Sequence, residues 1–293
     1  MKLDEECKGC LYRSQLKKVE REQGAGEKLE KFKAEVKKLC DNPPATYSAP
    51  LLMRDIDGLH RKIFAKGIDY SKEKTLFNNK LLALESELYA KIIACADPVA
   101  EAMKYAMAAN YIDFAKLPDL NAGAVDIVLA AAQRANPDER ALALLKDKLK
   151  RAKTLLYLHD NCGEIVLDKI LIRVIKAIYP QINVTSVVRG GDIINDVTEN
   201  DAREVGLYGV AKVINNGSNV AGTYLKEASG EVLNLLEKSD VIISKGLGNL
   251  ETLYGEGYSV FYCFTCKCEH ISKQFNASLM SAVLAYENST YHC

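Results

Sequence analysis

Residues 155–164, LLYLHDNCGE, decide the fold of this chain. An apolar run stops at Asp160-Asn161, Gly163 follows two residues later, and a helix-like segment begins after it. This order is typical of a buried parallel strand that ends in a polar loop. In α/β proteins the loops at the carboxyl ends of such strands bind ligands, so we expect the functional site here.

The pattern of the sequence changes near residue 150. The first 150 residues contain apolar residues at helical spacing, for example from Leu76 to Ile93 and over the charge-rich stretch from Leu11 to Leu39. From Lys153 onward short runs rich in Val and Ile recur, separated by helix-like stretches such as Ile165–Tyr179 and Gly230–Lys238. The predicted strands are Thr154–Leu158, Ile182–Val188, Val210–Ile214, Val241–Ile243 and Val260–Phe264. The alternation predicts an α/β fold with a mainly parallel sheet in residues 151–293, preceded by a helical N-terminal domain in residues 1–150.

Composition excludes several classes of protein. The 293 residues are 48% hydrophobic and 27% charged, so the chain can bury a substantial core. Lys plus Arg and Asp plus Glu balance at 39 each, so no net field favours nucleic acid or an acidic membrane. The N-terminus lacks the apolar core of a signal peptide, and no stretch is long enough to span a bilayer. We therefore expect a soluble, cytoplasmic protein.

The loops that follow the predicted strands lie along one edge of a parallel sheet. Asp160 and Asn161 follow the first strand, and Asp196 lies in the loop after the second. Carboxylate and amide oxygens are the ligands that Mg²⁺ and Mn²⁺ prefer. These three residues are predicted to hold one divalent cation. Glu164 either acts as a base beside them or is an acid placed favourably in the first turn of a helix.

The same edge offers groups for an anion. Lys245 is suited to a phosphate, and the N–H groups of Gly246 to Asn249 are expected to form an anion nest. Asn215, Gly217 and Ser218 offer a second such loop, and Asn195 and Arg189 are further candidates, although Arg at a strand end often pairs with a carboxylate. A metal beside a phosphate cradle fits phosphoryl transfer or phosphate-ester hydrolysis.

Other motifs are weaker. Asp55-Ile56-Asp57-Gly58 resembles the first motif of haloacid-dehalogenase-type phosphatases, but it stands in helical surroundings without the strand that motif needs. Cys7 and Cys10 form a CxxC pair, and Cys263, Cys266 and Cys268 cluster near the other end. A structural metal or a redox pair is one interpretation of these cysteines, and reduced thiols are the other.

An ordered set of motifs resembles the DUF89 family, also called the damage-control phosphatase or ARMT1-like family. The N-terminal CxxC pair resembles the smaller microbial branch of that family. The motifs are Asp97-Pro98, residues 109–114, residues 160–164, residues 189–198, residues 215–218 and residues 244–249. Cys162, Asp192 and Leu247 depart from the family pattern, where Ala, Pro and Gln are common, and Asp113 has an uncertain role.

The resemblance implies a helical N-terminal region on a Rossmann-like three-layer α/β/α domain. It also implies a phosphatase that uses a divalent metal ion (Mg, Mn, Co or Ni) on sugar phosphates or damaged phosphometabolites. By position it assigns Asp160, Asn161 and Asp196 to the metal and Lys245 to the phosphate. Two alternatives remain: a non-catalytic protein that binds a metal or a phosphometabolite, and an S-adenosylmethionine-dependent carboxyl methyltransferase. The latter would need a glycine-rich loop after the first strand, where Asp160-Asn161 stands instead.

Overall fold

The computed structural model describes residues 1–23, 26–67, 69–111 and 123–288. Seven helices precede the first strand: α1 Glu5–Gln23, α2 Glu27–Asp41, α3 Ala49–Phe64, α4 Ser71–Ile93, α5 Pro98–Ala108, α6 Gly123–Arg134 and α7 Glu139–Arg151. The remainder alternates strands and helices: β1 Thr154–Leu158, α8 Glu164–Ile178, β2 Asn183–Val188, α9 Glu199–Glu204, β3 Lys212–Asn215, α10 Gly230–Lys238, β4 Val241–Lys245, α11 Gly246–Leu253, β5 Val260–Thr265, α12 Glu269–Phe275 and β6 Ala282–Glu287.

The strands form one sheet in the order β3-β2-β1-β4-β5-β6. The first five strands are parallel, and β6 pairs antiparallel with β5 at the edge. The order of the chain reverses between β1 and β4, and such a switch point opens a crevice at the carboxyl ends of the two strands. Residues 159–164 after β1 and residue 246 after β4 therefore meet at the same place.

Alternation along the strands creates two apolar faces. Leu155 and Tyr157 of β1 belong to the cluster that packs under α8, whereas Leu156 and Leu158 face the cluster formed with α10, α11 and α12. Successive side chains of a strand point to opposite faces, so a strand covered on both sides is apolar throughout. The result is the α/β/α three-layer class predicted from the sequence.

Two groups of helices precede the sheet. Helices α4 and α5 pack on α8, and their residues Phe77, Leu81 and Met103 join the same buried cluster as the sheet. Helices α1 to α3 form a smaller cluster of their own around Phe32, Val36 and other apolar side chains. The predicted domain boundary at residue 150 stays a prediction. The kind of secondary structure changes there, but the helices α4 and α5 before the boundary and the sheet after it share one buried cluster. Within the described residues, no helix is long and apolar enough to cross a membrane.

The stretch from Leu11 to Leu39, which has apolar residues at helical spacing, contains parts of two helices, with Gly26 at the start of the second in a positive-φ conformation. The structure differs from the sequence prediction in two local respects. The strand β6 was not predicted. The residues after β4, predicted to be a loop, form the helix α11, because the chain turns directly into a helix at Gly246 (φ 76°). Asp55 lies inside α3, as its helical surroundings indicated.

Candidate metal and phosphate site

Two loops at the carboxyl edge of the sheet run side by side and bring the three predicted metal ligands together. Asn161 and Asp196 form an isolated antiparallel bridge. The N–H of Val197 donates to the carbonyl of Asp160 (2.9 Å), and the N–H of Cys162 donates to the carbonyl of Asn195 (2.9 Å). The backbone itself therefore fixes the loop after β2 against the loop after β1.

Asp160 is the centre of this arrangement. Its Oδ2 accepts hydrogen bonds from Nδ2 of Asn161 (2.6 Å) and Nδ2 of Asn110 (3.1 Å). Burial, together with the neighbouring carboxylates of Asp196 and Glu164, raises the pKa of Asp160 to about 8. A cation that binds next to this buried carboxyl group stabilises its ionised form.

Arg189 joins the two aspartates. Its Nε donates to Oδ2 of Asp196 (2.6 Å), and its Nη2 lies 3.4 Å from Oδ1 of Asp160. Burial raises the pKa of Asp196 even though Arg189 opposes that effect. The guanidinium is 1% exposed, and its Nη1 donates to Oδ1 of Asn249 (3.2 Å). Arg189 thus orients the two carboxylates from inside the protein.

Lys245 is the last residue of β4. Its Nζ donates to Oε1 of Glu164, to Oδ1 of Asp168 (2.7 Å) and to the carbonyl of Ala106 (2.8 Å). Burial alone lowers the pKa of Lys245, but the two carboxylates outweigh it and the net shift is upward. For Asp168, Lys245 and His159 outweigh the effect of burial, and its pKa is lowered. Lys245 is a fully buried, charged lysine with an acceptor for each of its three protons.

Asn110 is a site residue to which the sequence analysis gave no role. Its Oδ1 accepts from the N–H of Thr265 (3.2 Å) at the end of β5, and its Nδ2 donates to Oδ2 of Asp160 and to Oε2 of Glu164 (3.0 Å). Asn161 donates to the same two oxygens. Asn110 lies in a family-like motif, which was the signal that could have found it. Asp113 of that motif lies outside the described residues.

The predicted anion-binding residues divide into two groups. Gly246 lies in the first turn of α11 against Asp160, and Asn249 is fully buried. Asn249 Nδ2 donates to the carbonyls of His159 (3.0 Å) and Lys245 (2.8 Å), so its side chain joins β1 to β4. The N–H groups of a first helical turn have no partner within the helix, and anions bind at such positions.

The loop after β3 uses its polar groups internally. Oδ1 of Asn215 accepts from the N–H of Gly217 (3.0 Å), and Oγ of Ser218 donates to Glu227 (3.2 Å) and accepts from the N–H of Val220 (3.1 Å). A hydrogen bond from the N–H of Gly190, after β2, to the carbonyl of Ser218 (2.8 Å) joins this loop to the loop that carries Asp196. No described contact joins Asn215, Gly217 or Ser218 to the acidic cluster. Their role in binding phosphate stays a prediction.

The charges of the buried cluster do not balance. Four carboxylates, those of Asp160, Glu164, Asp168 and Asp196, are 8% exposed or less, and they contact two buried cations, Lys245 and Arg189. With all four carboxylates ionised, the excess of two negative charges would equal the charge of one divalent cation. In the described chain no three His, Cys, Asp or Glu side chains converge enough to hold a metal. The predicted set, two aspartates and one amide, would leave the other positions to water or substrate oxygens.

Binding of that cation requires a different orientation of the Asn161 amide. In this structure it presents its Nδ2 to Asp160 and Glu164, whereas a metal ligand must present Oδ1. Rotation of the amide by about half a turn exchanges the two atoms, which have nearly the same shape. With that exchange, the oxygen-rich donor set fits a hard divalent ion.

The remaining motifs lie outside the site or behind it. His159 is fully buried, with Nδ1 3.1 Å from Asp168 and Nε2 3.0 Å from Oγ of Ser186. Cys7 is partly buried and Cys10 is exposed on α1; all the described cysteines are free thiols. Burial and the nearby Asp4 raise the pKa of Cys7 to about 12, so this thiol is protonated at neutral pH. A low-pKa redox pair is not supported by these surroundings.

Comparisons with known proteins identify the family of this chain. The model of the damage-control phosphatase ARMT1-like domain matches residues 3–283. The chain is 37% identical over 150 residues to damage-control phosphatase PH1575 of Pyrococcus horikoshii, covering 47% of this chain and 52% of that protein. It is 34% identical over 127 residues to a damage-control phosphatase of Archaeoglobus fulgidus, covering 43% of each. The alignments thus span about half the length of these curated relatives.

A solved structure extends the likeness to nearly the whole chain. The crystal structure of the DUF89 family protein PH1575 from Pyrococcus horikoshii matches with a TM-score of 0.82 and 26% identity. The match covers 98% of this chain and 99% of that one, so both the helical region and the sheet are included. The family model covers most of the sequence as well. The chain belongs to the damage-control phosphatase ARMT1-like (DUF89) family.

Proposed function

We propose that this protein is a divalent-metal-dependent phosphatase that hydrolyses phosphate esters of sugars or of damaged metabolites. The observation that carries the proposal is the buried acidic cluster at the switch point of the sheet, in which four carboxyl groups contact only two cations among the described residues. The names of the relatives support a phosphatase rather than a binding protein. Cytoplasmic location stays a prediction.

Asp160, Asn161 and Asp196 would hold the metal ion. When bound, that ion supplies positive charge to the phosphate and activates a water molecule. Arg189 holds Asp196 and Asp160 in fixed orientations, which keeps the ligands preorganised. Glu164 accepts hydrogen bonds from Lys245 and from Asn110, and neither depends on the rotation of the Asn161 amide. Its action as a base stays a prediction.

The nucleophile is one of two groups. Either a water molecule attacks phosphorus and the alcohol leaves, or Asp160 attacks, the alcohol leaves, and water hydrolyses the resulting acyl phosphate in a second step. Oδ2 of Asp160 accepts a hydrogen bond from Asn110 that rotation of the Asn161 amide does not remove, whereas among the described residues Oδ1 has only the 3.4 Å contact with Arg189. Oδ1 is therefore the oxygen available to bind or attack. The first turn of α11 begins beside this carboxylate and offers N–H groups to the phosphate.

The test is release of phosphate from a panel of sugar phosphates with Mg²⁺, Mn²⁺, Co²⁺ or Ni²⁺, and with EDTA. We expect metal-dependent turnover in the wild type that is lost in Asp196→Asn. Asp192→Asn in the same loop is the matched control, because Asp192 is 83% exposed and should leave activity unchanged. Turnover that survives in Asp196→Asn would contradict the proposed ligand set. Metal binding without turnover of any ester would favour the non-catalytic alternative, and binding of S-adenosylmethionine would favour the methyltransferase.

A further inference from the structure

Two polar side chains of α4 contact the two loops that carry the proposed metal ligands. Lys74 and Asn78 are four residues apart, so they lie on the same face of the helix, and both are buried. Lys74 contacts the segment that follows Asp196, and Asn78 contacts the loop after β1. Neither residue is among the site residues predicted from the sequence.

Lys74 is connected to the Asp196 loop through a buried ion pair. Its Nζ lies 2.7 Å from Oδ2 of Asp201, and the same oxygen accepts hydrogen bonds from the N–H and the Oγ1 of Thr198 (2.7 Å each). Thr198 follows Asp196 by two residues and forms an isolated parallel bridge with Arg189. One carboxylate therefore joins α4 to the segment that fixes Asp196.

Asn78 is connected to the other ligand loop. Its Oδ1 accepts a hydrogen bond from the N–H of Gly163 (2.6 Å), two residues after Asn161. Its Nδ2 is buried and has no hydrogen-bond partner among the residues that the structure describes. An unpaired buried amide donor costs free energy that an apolar side chain would avoid. Stability alone therefore does not account for an asparagine at this position.

Stability and charge do not account for Lys74 either. A buried ion pair is often no more stabilising than apolar side chains of similar size, because both charges lose their hydration. Burial raises the pKa of Asp196, and Lys74 is among the groups that lower it, so its positive charge reaches the proposed metal ligand. A positive charge at that place repels a metal ion. What Lys74 supplies is a fixed position for the loop.

We propose that Lys74 and Asn78 are positioning residues, which set the separation of the two ligand loops and thereby the affinity for the divalent ion. This inference rests on the proposed function, because it takes Asp160, Asn161 and Asp196 as the ligands. The two contacts leave α4 about one turn apart, roughly 6 Å along its axis. A helix keeps that distance, so the two loops cannot move apart while both contacts are made.

The first experiment compares Mn²⁺ binding by the wild type, Lys74→Met and Lys74→Arg. Isothermal titration with MnCl₂ is performed on the metal-free protein without substrate. Loss of a contact behind a metal ligand weakens metal binding by about ten- to hundredfold, and we expect that loss in Lys74→Met. A lysine that acted only through its charge would give the opposite result, tighter binding in Lys74→Met. Lys74→Arg should retain most of the affinity, and Lys72→Met, at an exposed position of α4, is the matched control.

A second pair of variants tests the other contact. Asn78→Ala should weaken Mn²⁺ binding, whereas Asn79→Ala, at the exposed neighbouring position, should not. The concentration of Mn²⁺ that gives half-maximal turnover of the best ester should rise by the same factor as the dissociation constant.

A double variant keeps the test valid if Lys74→Met unfolds. Lys74→Met leaves Asp201 buried without its cation, and Lys74→Met/Asp201→Asn removes that charge as well. The double variant should fold, which thermal unfolding in EDTA checks. It still lacks the ion pair with α4, so its Mn²⁺ affinity should stay low.

The outcomes separate this inference from the proposed function. Wild-type or tighter Mn²⁺ binding in Lys74→Met, in the double variant or in Asn78→Ala, beside its loss in Asp196→Asn, would overturn the inference and leave the proposed function intact. Weakened binding in these variants, without turnover of any ester by the wild type, would overturn the phosphatase proposal alone. A wild type that binds none of the four metals would overturn both, because the ligand set itself would then be wrong.

Discussion

Gly246 lies directly against the carboxylate of Asp160: a β carbon at position 246 would stand 1.9 Å from Oδ2 and 2.2 Å from Cγ. The backbone at Gly246 also has a φ of 76°, which L-amino acids with a side chain rarely adopt. The glycine therefore allows β4 to turn into α11 in contact with the proposed metal ligand.

Gly246→Ala should displace Asp160 and strain the backbone. We expect a loss of at least about 1 kcal/mol of unfolding free energy from the backbone conformation, and a fall in kcat/KM of about a hundredfold from the misplaced carboxylate. Urea unfolding and ester hydrolysis measure the two effects. Gly58→Ala is the control: Gly58 lies inside α3 with open space around its α carbon, so this change should raise stability by about 0.5–1 kcal/mol. Full activity in Gly246→Ala would show that Asp160 has room to move.

Asp160→Asn should stabilise the metal-free protein at high pH while abolishing turnover. Asp160 has an ordinary pKa of 3.8 in the unfolded chain and about 8 in the folded one. Between these values the folded state holds a proton that the unfolded state has lost, so the contribution of this group to stability falls as pH rises. In EDTA the wild type should lose stability relative to Asp160→Asn between pH 5 and pH 8. If the unfolding free energies of the two proteins, measured with urea, changed equally with pH over that range, the raised pKa would be contradicted.

Asn110→Asp should destabilise the site more than Asn110→Ala. The added carboxylate would face Asp160 and Glu164 and would remove the two hydrogen bonds that Nδ2 donates to them. An unpaired buried charge predicts a loss of about 2–3 kcal/mol in EDTA. Urea unfolding measures it, with Asn234→Asp on the exposed face of α10 as the matched substitution. Equal stability of the two Asp variants would mean that Asn110 is not in contact with the cluster.

Lys245→Met should be severely destabilising, and Asp168→Asn should partly compensate for it. Removal of the ammonium leaves Glu164 and Asp168 buried without their cation, which costs about 3–5 kcal/mol. The double variant loses one of these charges as well. A double-mutant cycle by urea unfolding should therefore show a coupling free energy of about 1 kcal/mol or more. Additive losses would indicate that the two side chains do not interact.

The sheet was predictable from the sequence because each of its five parallel strands contains a short apolar run. Strand β6 was missed because Ala282–Glu287 is only partly buried and carries no continuous Val and Ile run. Helix α11 was taken for a glycine-rich loop because Gly246 and Gly248 are typical of turns. They are present for another reason: a β carbon on Gly248 would lie 2.0 Å from the carbonyl of Ala221. Close approach between segments distant in sequence is not visible in either segment alone.

The sequence predicts which residues form the candidate site, but it does not predict which side chains those residues contact. The sequence shows that Asp160, Asn161 and Asp196 follow neighbouring strands, which is why they were grouped. It does not show that Glu164 and Asp168 both turn toward Lys245, although their spacing of four residues places them on one face of α8. That contact depends on how α8 packs on the sheet. The prediction that Lys245 binds phosphate was made from its position at the end of a strand, so it could not include the contact with Glu164 and Asp168.

The third acceptor of Lys245 has a consequence for dissecting the protein. The carbonyl of Ala106 belongs to α5, 139 residues before Lys245 in the chain. A fragment that began at Thr154 would contain every predicted ligand and still lack both this carbonyl and the Asn110 amide. It would also expose the apolar face of α8 that α4 and α5 cover. The helices before the sheet therefore contribute groups to the proposed site, and swapping them between relatives would exchange parts of that site as well as its cover.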